Sequence, residues 1–452
     1  MTNFGELRPA LQQEIMSGMP AQVARLSWGQ DKIRAHQQEG LRRLLAHAKT
    51  HSPFHRARLA AVDAERFDLA QLCDLPVMTK HEMMLGFDEL LTDRRITRAM
   101  AEVALAATRD EPVPLRDNSF VMATGGSSGE RGVFVFDHEA LVQYFSALMR
   151  WTARQAPPGA SVRAAFVAAA CPVHATAFGV RLSAGGSFPL QFTPVPATLP
   201  VEEIVARLNA LRPDALFGYP SMLYRLAAEV AAKRLHIAPR AISSTSETLV
   251  DEQRRAISSA FGAPVTDTFG STEGLIGLSA PNDAVLVFNS DQCIIELVDG
   301  ENRPVPPGTP SAKVLLTNLF NLMQPLIRYE LNDRFVQREF AAEHGHLRAT
   351  VEGRNDEMLR YGKIDIHPLA VRSVMVKTPS VLDYQVTQTA SGIDVAVVAD
   401  ATLDIATLQR QLADALRVAG LADPLVDLRR TKTLERNAQS GKLKRFVPLR
   451  AA

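Results

Sequence analysis

The chain has 452 residues, enough for two or three domains, and its 46% hydrophobic and 22% charged residues are typical of a globular protein with a substantial core. Its 50 basic and 49 acidic residues leave a net charge of +1, which argues against a nucleic-acid-binding protein. Three widely spaced cysteines, an N-terminus without an apolar segment and the absence of a long apolar stretch argue against a disulfide framework, a signal peptide and a membrane span. We therefore expect a cytoplasmic protein.

The first 100 residues predict helices, because apolar residues such as Ile33, Leu41 and Leu45 recur at helical spacing until Pro53 interrupts the pattern. Helices then alternate with short apolar strands across residues 138–270. This alternation predicts an α/β domain, in which ligands lie beyond the carboxyl ends of the strands.

The pattern changes twice more along the chain. Residues 293–319 read as strand, proline-rich turn and strand, which predicts a β subdomain. After Glu352 the sequence predicts a hairpin that turns at Ser391-Gly392 and an amphipathic helix closed by Gly420. We therefore divide the chain into an N-terminal domain, residues 1–353, and a C-terminal domain, residues 354–452.

A glycine-rich stretch, VMATGGSSGERG, occupies residues 121–132. Glycines let backbone N–H groups approach a ligand closely and hydroxyls add further donors, as in phosphate-binding loops. A flexible surface loop is the alternative explanation of these residues alone. Neither the Gly-Lys-Ser/Thr end of a Walker loop nor the dinucleotide fingerprint GxGxxG is present.

The order Thr-x-Gly-Ser-Ser-Gly in this stretch resembles the phosphate loop of the adenylate-forming superfamily, which contains acyl-CoA synthetases, adenylation domains and luciferases. Further motifs of the family follow in order: TDTFGSTEG at 266–274, PLIRYELNDR at 325–334, EGRNDEMLRYG at 352–362 and NAQSGKLKRF at 437–446. The segments HSPFHRARL, LCDLPVMTKHEMM and RYE narrow the resemblance to the phenylacetate–CoA ligase branch, which includes coenzyme F390 synthetase-like members.

The resemblance implies a fold and a reaction. The fold is α/β, with a large N-terminal domain of helical start, mixed sheets and β subdomain, followed by a small mobile α+β C-terminal domain. In the reaction a carboxylic acid and ATP give an acyl-adenylate and pyrophosphate with Mg²⁺, and the acyl group then passes to coenzyme A. An aromatic or arylacetic acid is the expected substrate. Homodimers are common in this branch, although no residue here indicates one.

The resemblance also implies the nucleotide-binding residues. The phosphate-loop residues are Thr124, Gly126, Ser127, Ser128 and Gly129. The residues expected around the adenine and along the following strand are Ser246, Glu247, Thr248, Phe269 and Gly270. Asp333 is expected to accept hydrogen bonds from the ribose hydroxyls, and Arg354 to reach the ribose or a phosphate. Turn and cap residues, or surface charges, are the plainer explanations.

The catalytic residues implied by the resemblance are Thr272, Glu273 and Lys442. Thr272 donates to the α-phosphate and Glu273 holds Mg²⁺ by a carboxylate oxygen, a ligand that Mg²⁺ prefers. Lys442 neutralises charge between the carboxylate and the α-phosphate, moving in for adenylation and out for transfer. Asp356 is the expected hinge between the two poses. A solvated acid, a basic tail and a simple linker are the respective alternatives.

The sequence departs from the family pattern where Glu130 replaces the usual lysine after the phosphate loop, and where Phe269 and Asn332 replace a tyrosine and a glycine. Glu130 reverses the charge next to a polyanion, so either Arg131 substitutes for the lysine or the loop binds phosphate less tightly. The β subdomain carries only Cys293 where some relatives bind structural zinc, so we expect no zinc there.

The acid is expected to lie among Phe217, Tyr219 and Ser244, with His174 and Phe178 as further wall residues. His174 is as well explained as a structural histidine, and the aromatic residues as core. A second hypothesis keeps adenylation but passes the acyl group to an amine, a hydroxyl or a carrier-protein thiol. A third is a nucleotide-binding protein without catalysis.

Overall fold

The computed structural model describes residues 3–124, 131–155, 162–169, 171–185, 188–378, 380–437 and 441–449. The helices are, in chain order, α1 Phe4–Arg25, α2 Gln30–His51, α3 Pro53–Arg58, α4 Lys80–Leu85, α5 Phe87–Leu90, α6 Arg98–Ala107, α7 His138–Gln155, α8 Ala175–Ser183, α9 Val201–Leu211, α10 Pro220–Ala231, α11 Asp251–Phe261, α12 Leu369–Val376 and α13 Ile405–Val418. Among these described helices, none is long and apolar enough to cross a membrane.

The strands are, in chain order, β1 Phe120–Ala123, β2 Val133–Phe136, β3 Val162–Ala168, β4 Leu190–Pro196, β5 Ala215–Gly218, β6 Ala241–Thr245, β7 Val265–Gly270, β8 Ile276–Ser279, β9 Leu286–Phe288, β10 Cys293–Val298, β11 Lys313–Asn318, β12 Tyr329–Leu331, β13 Asp333–Gln337, β14 Arg348–Arg354, β15 Leu359–Tyr361, β16 Ile364–Ile366, β17 Val381–Gln388, β18 Gly392–Ala399, β19 Leu425–Arg430 and β20 Phe446–Val447. The mixed α/β class predicted from the sequence is confirmed.

The helical start is confirmed, and its local causes are visible. Ile33, Leu41 and Leu45 lie buried on one face of α2. The helix ends before Pro53, which begins α3, and the side chain of Ser52 caps the new helix by accepting a hydrogen bond from its third residue. Proline lacks the backbone N–H that a helix interior uses but fits the first position of a helix, so a new helix begins at Pro53.

The main sheet has nine strands in the order β13-β14-β9-β8-β7-β6-β5-β3-β4. The strands β4, β3, β5, β6 and β7 are parallel, whereas β8, β9, β14 and β13 continue the sheet antiparallel. The carboxyl ends of the parallel strands therefore meet at one edge, and the segments that follow β5, β6 and β7 carry the predicted site residues Tyr219, Ser246, Glu247, Thr248, Thr272 and Glu273.

The smaller sheets agree with the later part of the sequence prediction. The strands β10, β11 and β12 form an antiparallel sheet, which is the predicted β subdomain. The strands β19-β18-β17-β20 form a separate four-stranded sheet around the predicted hairpin. The hairpin turns one position earlier than predicted, because the Thr389 amide donates to the Gly392 carbonyl and leaves Ala390 and Ser391 in the turn.

The C-terminal region has an apolar core of its own. A cluster that includes Leu359, Val395, Leu412 and Phe446 draws all of its buried members from the chain after residue 358.

A buried ion pair lies in the region before residue 358. The Arg150 guanidinium on α7 donates two hydrogen bonds of 2.8 Å to the carboxylate of Asp291. Both of these side chains are almost fully buried.

Candidate active site

The turn after β7 carries Thr272 and Glu273, and both are buried. The Ser271 carbonyl accepts from the Gly274 amide and from the Tyr144 hydroxyl, and the Glu273 carbonyl accepts a 2.8 Å hydrogen bond from the Asn318 side chain. Gly274 has a φ of 108°, and a Cβ there would meet the Asn318 amide nitrogen at 2.4 Å. The turn therefore requires glycine and holds Glu273 in a fixed position.

Burial raises the pKa of Glu273, and the neighbouring Asp333 carboxylate raises it further. The positive charges of Lys80 and Arg354 act in the opposite direction and lower that pKa. Two acidic and two basic residues from distant parts of the chain thus lie close together, as the motifs predicted for Glu273, Asp333 and Arg354. Lys80 lies within the segment LCDLPVMTKHEMM, and the sequence alone does not indicate that it belongs to this site.

Strand pairing explains two of these neighbours. Asp333 begins β13 directly opposite Arg354, the last residue of β14. Met78 pairs in parallel with Tyr329 on β12, and its carbonyl accepts from the Glu330 amide at 2.9 Å. This bridge sets the first turn of α4, which Lys80 begins, beside the β12–β13 junction.

The base of the phosphate loop is closed by Thr124. Its hydroxyl oxygen accepts from the Gly132 amide at 2.9 Å, and its own amide donates to the Gly132 carbonyl at 2.9 Å. The predicted loop residues Gly126, Ser127, Ser128 and Gly129, and also Glu130, lie outside the described residues. Arg131, the alternative cation, pairs with Glu102 on α6.

The segment after β6 brings Ser246, Glu247 and Thr248 to the edge of the sheet, with Ser246 in a left-handed conformation of φ 67°. The Glu247 carboxylate accepts from the Ser221 amide at 3.2 Å and from the Leu443 amide at 2.8 Å. The residue predicted to face the adenine therefore also bonds the backbone next to Lys442.

Lys442 is largely buried, and this burial lowers its pKa; the charge of Arg354 also lowers it and that of Glu247 raises it. Its Nζ lies 5.8 Å from the centre of the Tyr219 ring. Tyr219 is fully buried, and its hydroxyl oxygen accepts from the Ala169 amide at 2.9 Å. Lys442, the predicted catalytic lysine, thus lies next to Tyr219, a residue predicted to bind the acid.

Phe217 and Ser244, which are also predicted around the acid, lie on opposite faces of the sheet. Phe217 packs against Phe192 and Phe166, with ring centres 4.9 and 6.2 Å away. Ser244 pairs in register with the residue after Phe217, so its side chain points to the opposite face, where its hydroxyl donates to Asp267. Phe269, with Gly270 ending the same strand, contacts Phe335.

His174 has a structural contact. Its Nδ1 lies 3.0 Å from the Ala123 carbonyl at the end of β1, and burial lowers its pKa, with smaller contributions from the charges of Lys442 and Arg131. Phe178 is fully buried and stacks on Phe145 in the aromatic core at 5.3 Å. Phe178 is therefore a core residue, and the expectation that it lines a wall for the acid was wrong because α8 turns it inward.

The predicted hinge lies where β14 ends. Asp356 belongs to a short 3₁₀ turn, Asn355–Glu357, directly after Arg354. The Asn355 amide donates to the Asn332 carbonyl at 2.7 Å, and the Glu357 carboxylate accepts from Arg372 at 3.0 Å. The segment thus joins the main sheet to the apolar core of the C-terminal region.

The residues present fit a magnesium–nucleotide complex. Glu273 offers a buried carboxylate with a second carboxylate, Asp333, close by, and Mg²⁺ in phosphate-binding sites is usually held by one or two carboxylates and by the phosphates themselves. Lys80 and Arg354 supply positive charge around Glu273, and Lys442 adds a further positive charge near Arg354, which a polyanion requires.

Comparison with known proteins finds CoA ligases. No protein-family model matches the chain. The chain is similar in sequence to a phenylacetate–coenzyme A ligase of Thermus thermophilus, with 25% identity over 403 residues that cover 85% of this chain and 82% of the relative.

Two solved structures of a 2-hydroxyisobutyryl-CoA ligase share the fold. In the postadenylation state, in complex with R3-HIB-AMP, that ligase matches with a TM-score of 0.73 and 17% identity, over 94% of this chain and 91% of that chain. In the thioesterification state, in complex with 2-HIB-AMP and CoA, it matches over the same shares with a TM-score of 0.59 and 18% identity. The chain therefore shares the fold of this CoA ligase. Its sequence likeness lies with the phenylacetate–CoA ligase branch, as the motifs indicated.

Proposed function

We propose that this chain is an ATP-dependent, AMP-forming acid–CoA ligase. The observation that carries the proposal is the convergence of Glu273, Asp333, Arg354 and Lys442, which come from separate strands and loops, around one edge of the sheet. A non-catalytic nucleotide-binding protein would have no need for a desolvated lysine at this place. The likeness to a phenylacetate–CoA ligase supports the same conclusion.

In the first step a carboxylate oxygen of the acid forms a bond to the α-phosphorus of ATP, and the bond from that phosphorus to the bridging oxygen breaks, so that pyrophosphate leaves. The acid and ATP are both anionic, so the step depends on positioning and on positive charge. Lys442 supplies that charge where the carboxylate meets the α-phosphate, and Thr272 donates to the phosphate. Glu273 would hold Mg²⁺, which would offset charge on the phosphates.

In the second step the sulfur of CoA bonds to the acyl carbon, the bond from that carbon to AMP breaks, and the thiol proton passes to solvent. Asp333 keeps the ribose hydroxyls in place through both steps, since a carboxylate can accept from two vicinal hydroxyls. Arg354 lies opposite it in the β13–β14 pair and within reach of the same nucleotide.

We further propose an aromatic or arylacetic acid as substrate. The sequence likeness to a phenylacetate–coenzyme A ligase of Thermus thermophilus supports this substrate class. Transfer to an amine, a hydroxyl or a carrier-protein thiol is the alternative second step.

We also propose that residues 1–353 and 354–452 are two domains, with the hinge at Asp356. The separate apolar core after residue 358 supports this division. Homodimer formation remains a prediction, which light scattering of the purified chain tests.

The test of the function is acid-dependent ATP–pyrophosphate exchange across aryl, arylacetic and fatty acids. Exchange with aromatic acids only supports the whole proposal, and exchange with another class replaces the substrate. AMP release that requires CoA identifies CoA as the acceptor, whereas release that requires an amine or a hydroxyl identifies the alternative. A folded protein that binds Mg·ATP without exchange with any acid contradicts the proposal.

A further inference from the structure

The Lys442 loop, residues 441–445, contacts the first turn of α10 through a shared carboxylate. Glu247 accepts from the Leu443 amide with Oε1 at 2.8 Å and from the Ser221 amide with Oε2 at 3.2 Å. Ser221 is the second residue of α10, where backbone amides have no partner within the helix. The Glu247 side chain thus accepts from an amide at the start of α10 that the helix itself leaves unpaired, and also holds the residue next to Lys442.

The Arg436 side chain also connects α10 to the Lys442 loop, as a hydrogen-bond donor. Nη1 of Arg436 donates to the Ser221 hydroxyl at 3.0 Å and to the Gly441 carbonyl at 3.1 Å. Only 15% of this side chain is exposed, and burial lowers its pKa, while the charges of Glu247 and Asp383 act to raise it. A buried guanidinium is costly when its partners are missing, so the contact favours the pose in which both are present.

The far side of the Lys442 loop is attached to β17. The Arg445 guanidinium pairs with Asp383 at 2.9 Å and donates to the Tyr384 carbonyl at 3.1 Å. Nε2 of Gln385 donates to the Lys444 carbonyl at 2.9 Å. The C-terminal sheet thus holds one side of the loop. Of the hydrogen bonds described above, those of Glu247 and Arg436 connect the other side of the loop to α10.

We propose that Glu247 and Arg436 are positioning residues that lock the Lys442 loop against α10 for the adenylate-forming step and let go of it for the transfer step. This inference rests on the proposed function. Both contacts join a side chain to backbone atoms beside Lys442, so they set where its ammonium lies without touching the acid. The greater likeness to a ligase in the postadenylation state than in the thioesterification state supports a locked pose here.

The test separates the two half-reactions in the full chain. Arg436→Ala is compared with the native chain in acid-dependent ATP–pyrophosphate exchange, and then in thioester formation from CoA and a synthetic adenylate of the accepted acid. We expect exchange to fall about 10- to 100-fold, because a misplaced catalytic group costs that much. Thioester formation from the supplied adenylate should not fall. Arg429→Ala, an exposed arginine on β19, is the matched control and should change neither rate.

Two further variants keep the proposal testable if Arg436→Ala does not fold. Arg436→Lys keeps a donor at the site and should lose less exchange than the alanine variant. Glu247→Gln keeps an acceptor for the Leu443 amide and should retain more exchange than Glu247→Ala, with Glu202→Ala on α9 as the exposed control.

Equal loss of both half-reactions in folded Arg436→Ala would overturn the inference, since that pattern indicates a general structural role. Unchanged exchange in that variant would overturn it as well. Neither result touches the proposed function, which fails only if the native chain itself supports no exchange with any acid.

Discussion

The carboxylate of Glu247 accepts a hydrogen bond from the Leu443 amide at 2.8 Å, between residues that are 196 positions apart in the sequence. The bond places the neighbouring Lys442 over the Tyr219 ring, at the edge of the sheet where the nucleotide residues meet. Under the proposed function adenylation depends on this lysine, so a contact that no motif describes would decide whether the site is complete.

Lys442→Ala should lower acid-dependent ATP–pyrophosphate exchange about 100- to 1,000-fold, the range seen when one electrostatic stabiliser is removed from an active site. Lys432→Ala, an exposed lysine in the same tail, is the control and should leave exchange unchanged. Near-native exchange in Lys442→Ala would show that another group neutralises the α-phosphate.

The rate of exchange should have an alkaline limit below the usual pKa of a lysine. Burial lowers the pKa of Lys442, so the ammonium loses its proton, and the positive charge, at a lower pH than an exposed lysine does. The pH profile of kcat/KM, which reports the free enzyme, measures this limit. Lys442→Arg should move the limit to higher pH in whatever activity remains, because a guanidinium keeps its proton; an unmoved limit would assign it to another group.

Lys80→Ala should raise KM for ATP. Its charge acts on the buried Glu273 beside the proposed phosphate site, and a charge-assisted hydrogen bond to phosphate contributes about 1.5–3 kcal/mol, or about 10- to 100-fold in affinity. Initial rates at varied ATP measure the effect, with Lys377→Ala, an exposed lysine after α12, as the control. An unchanged KM together with a lowered melting temperature would indicate that Lys80 only stabilises the fold.

Gly441→Ala should reduce exchange while sparing thioester formation from a supplied adenylate. Gly441 has a φ of 71°, which disfavours any residue with a Cβ. A Cβ there would lie 3.1 Å from the Ala197 carbonyl carbon, so the added methyl should push the Lys442 loop away from Ala197. Gly300→Ala is the matched control, since a Cβ at Gly300 meets no atom within 4 Å. Full exchange in Gly441→Ala would show that the loop tolerates the displacement.

Asp291→Ala should destabilise the fold by about 3–5 kcal/mol, because it leaves the Arg150 charge buried without its bidentate partner. Thermal unfolding followed by circular dichroism measures the change. Glu203→Ala removes an exposed pair with Arg207 and should leave the melting temperature unchanged. Equal melting temperatures for both variants would mean that water or another residue replaces the Asp291 carboxylate.

Much of this arrangement is predictable from local sequence. The helical start, the alternation that gives the parallel strands and the hairpin of the C-terminal region follow from apolar spacing and from residues such as Pro53 and Gly420, since these act within one turn or one strand. The motifs also indicated that Glu273, Asp333 and Arg354 would meet, because the family resemblance assigns all three to one nucleotide site.

Other features could not be predicted in this way. The side of the sheet that Ser244 faces depends on its register with β5, and the inward direction of Phe178 depends on how α8 packs; apolar periodicity fixes neither. Lys80 lies beside Glu273 only because Met78 pairs with Tyr329, a contact between segments about 250 residues apart in the chain.

The elements, their order and the residue types available for nucleotide chemistry follow from short-range spacing and from motifs. Which of those residues share a charge environment, and which contacts hold the Lys442 loop in place, depends on how the chain packs. Burial changes the pKa of Glu273 and Lys442. Glu247 accepts a hydrogen bond from the distant Leu443 amide, and Arg436 donates one to the distant Ser221 hydroxyl. Both effects arise from packing between distant segments, and desolvation and long-range contacts exist only once the chain has folded.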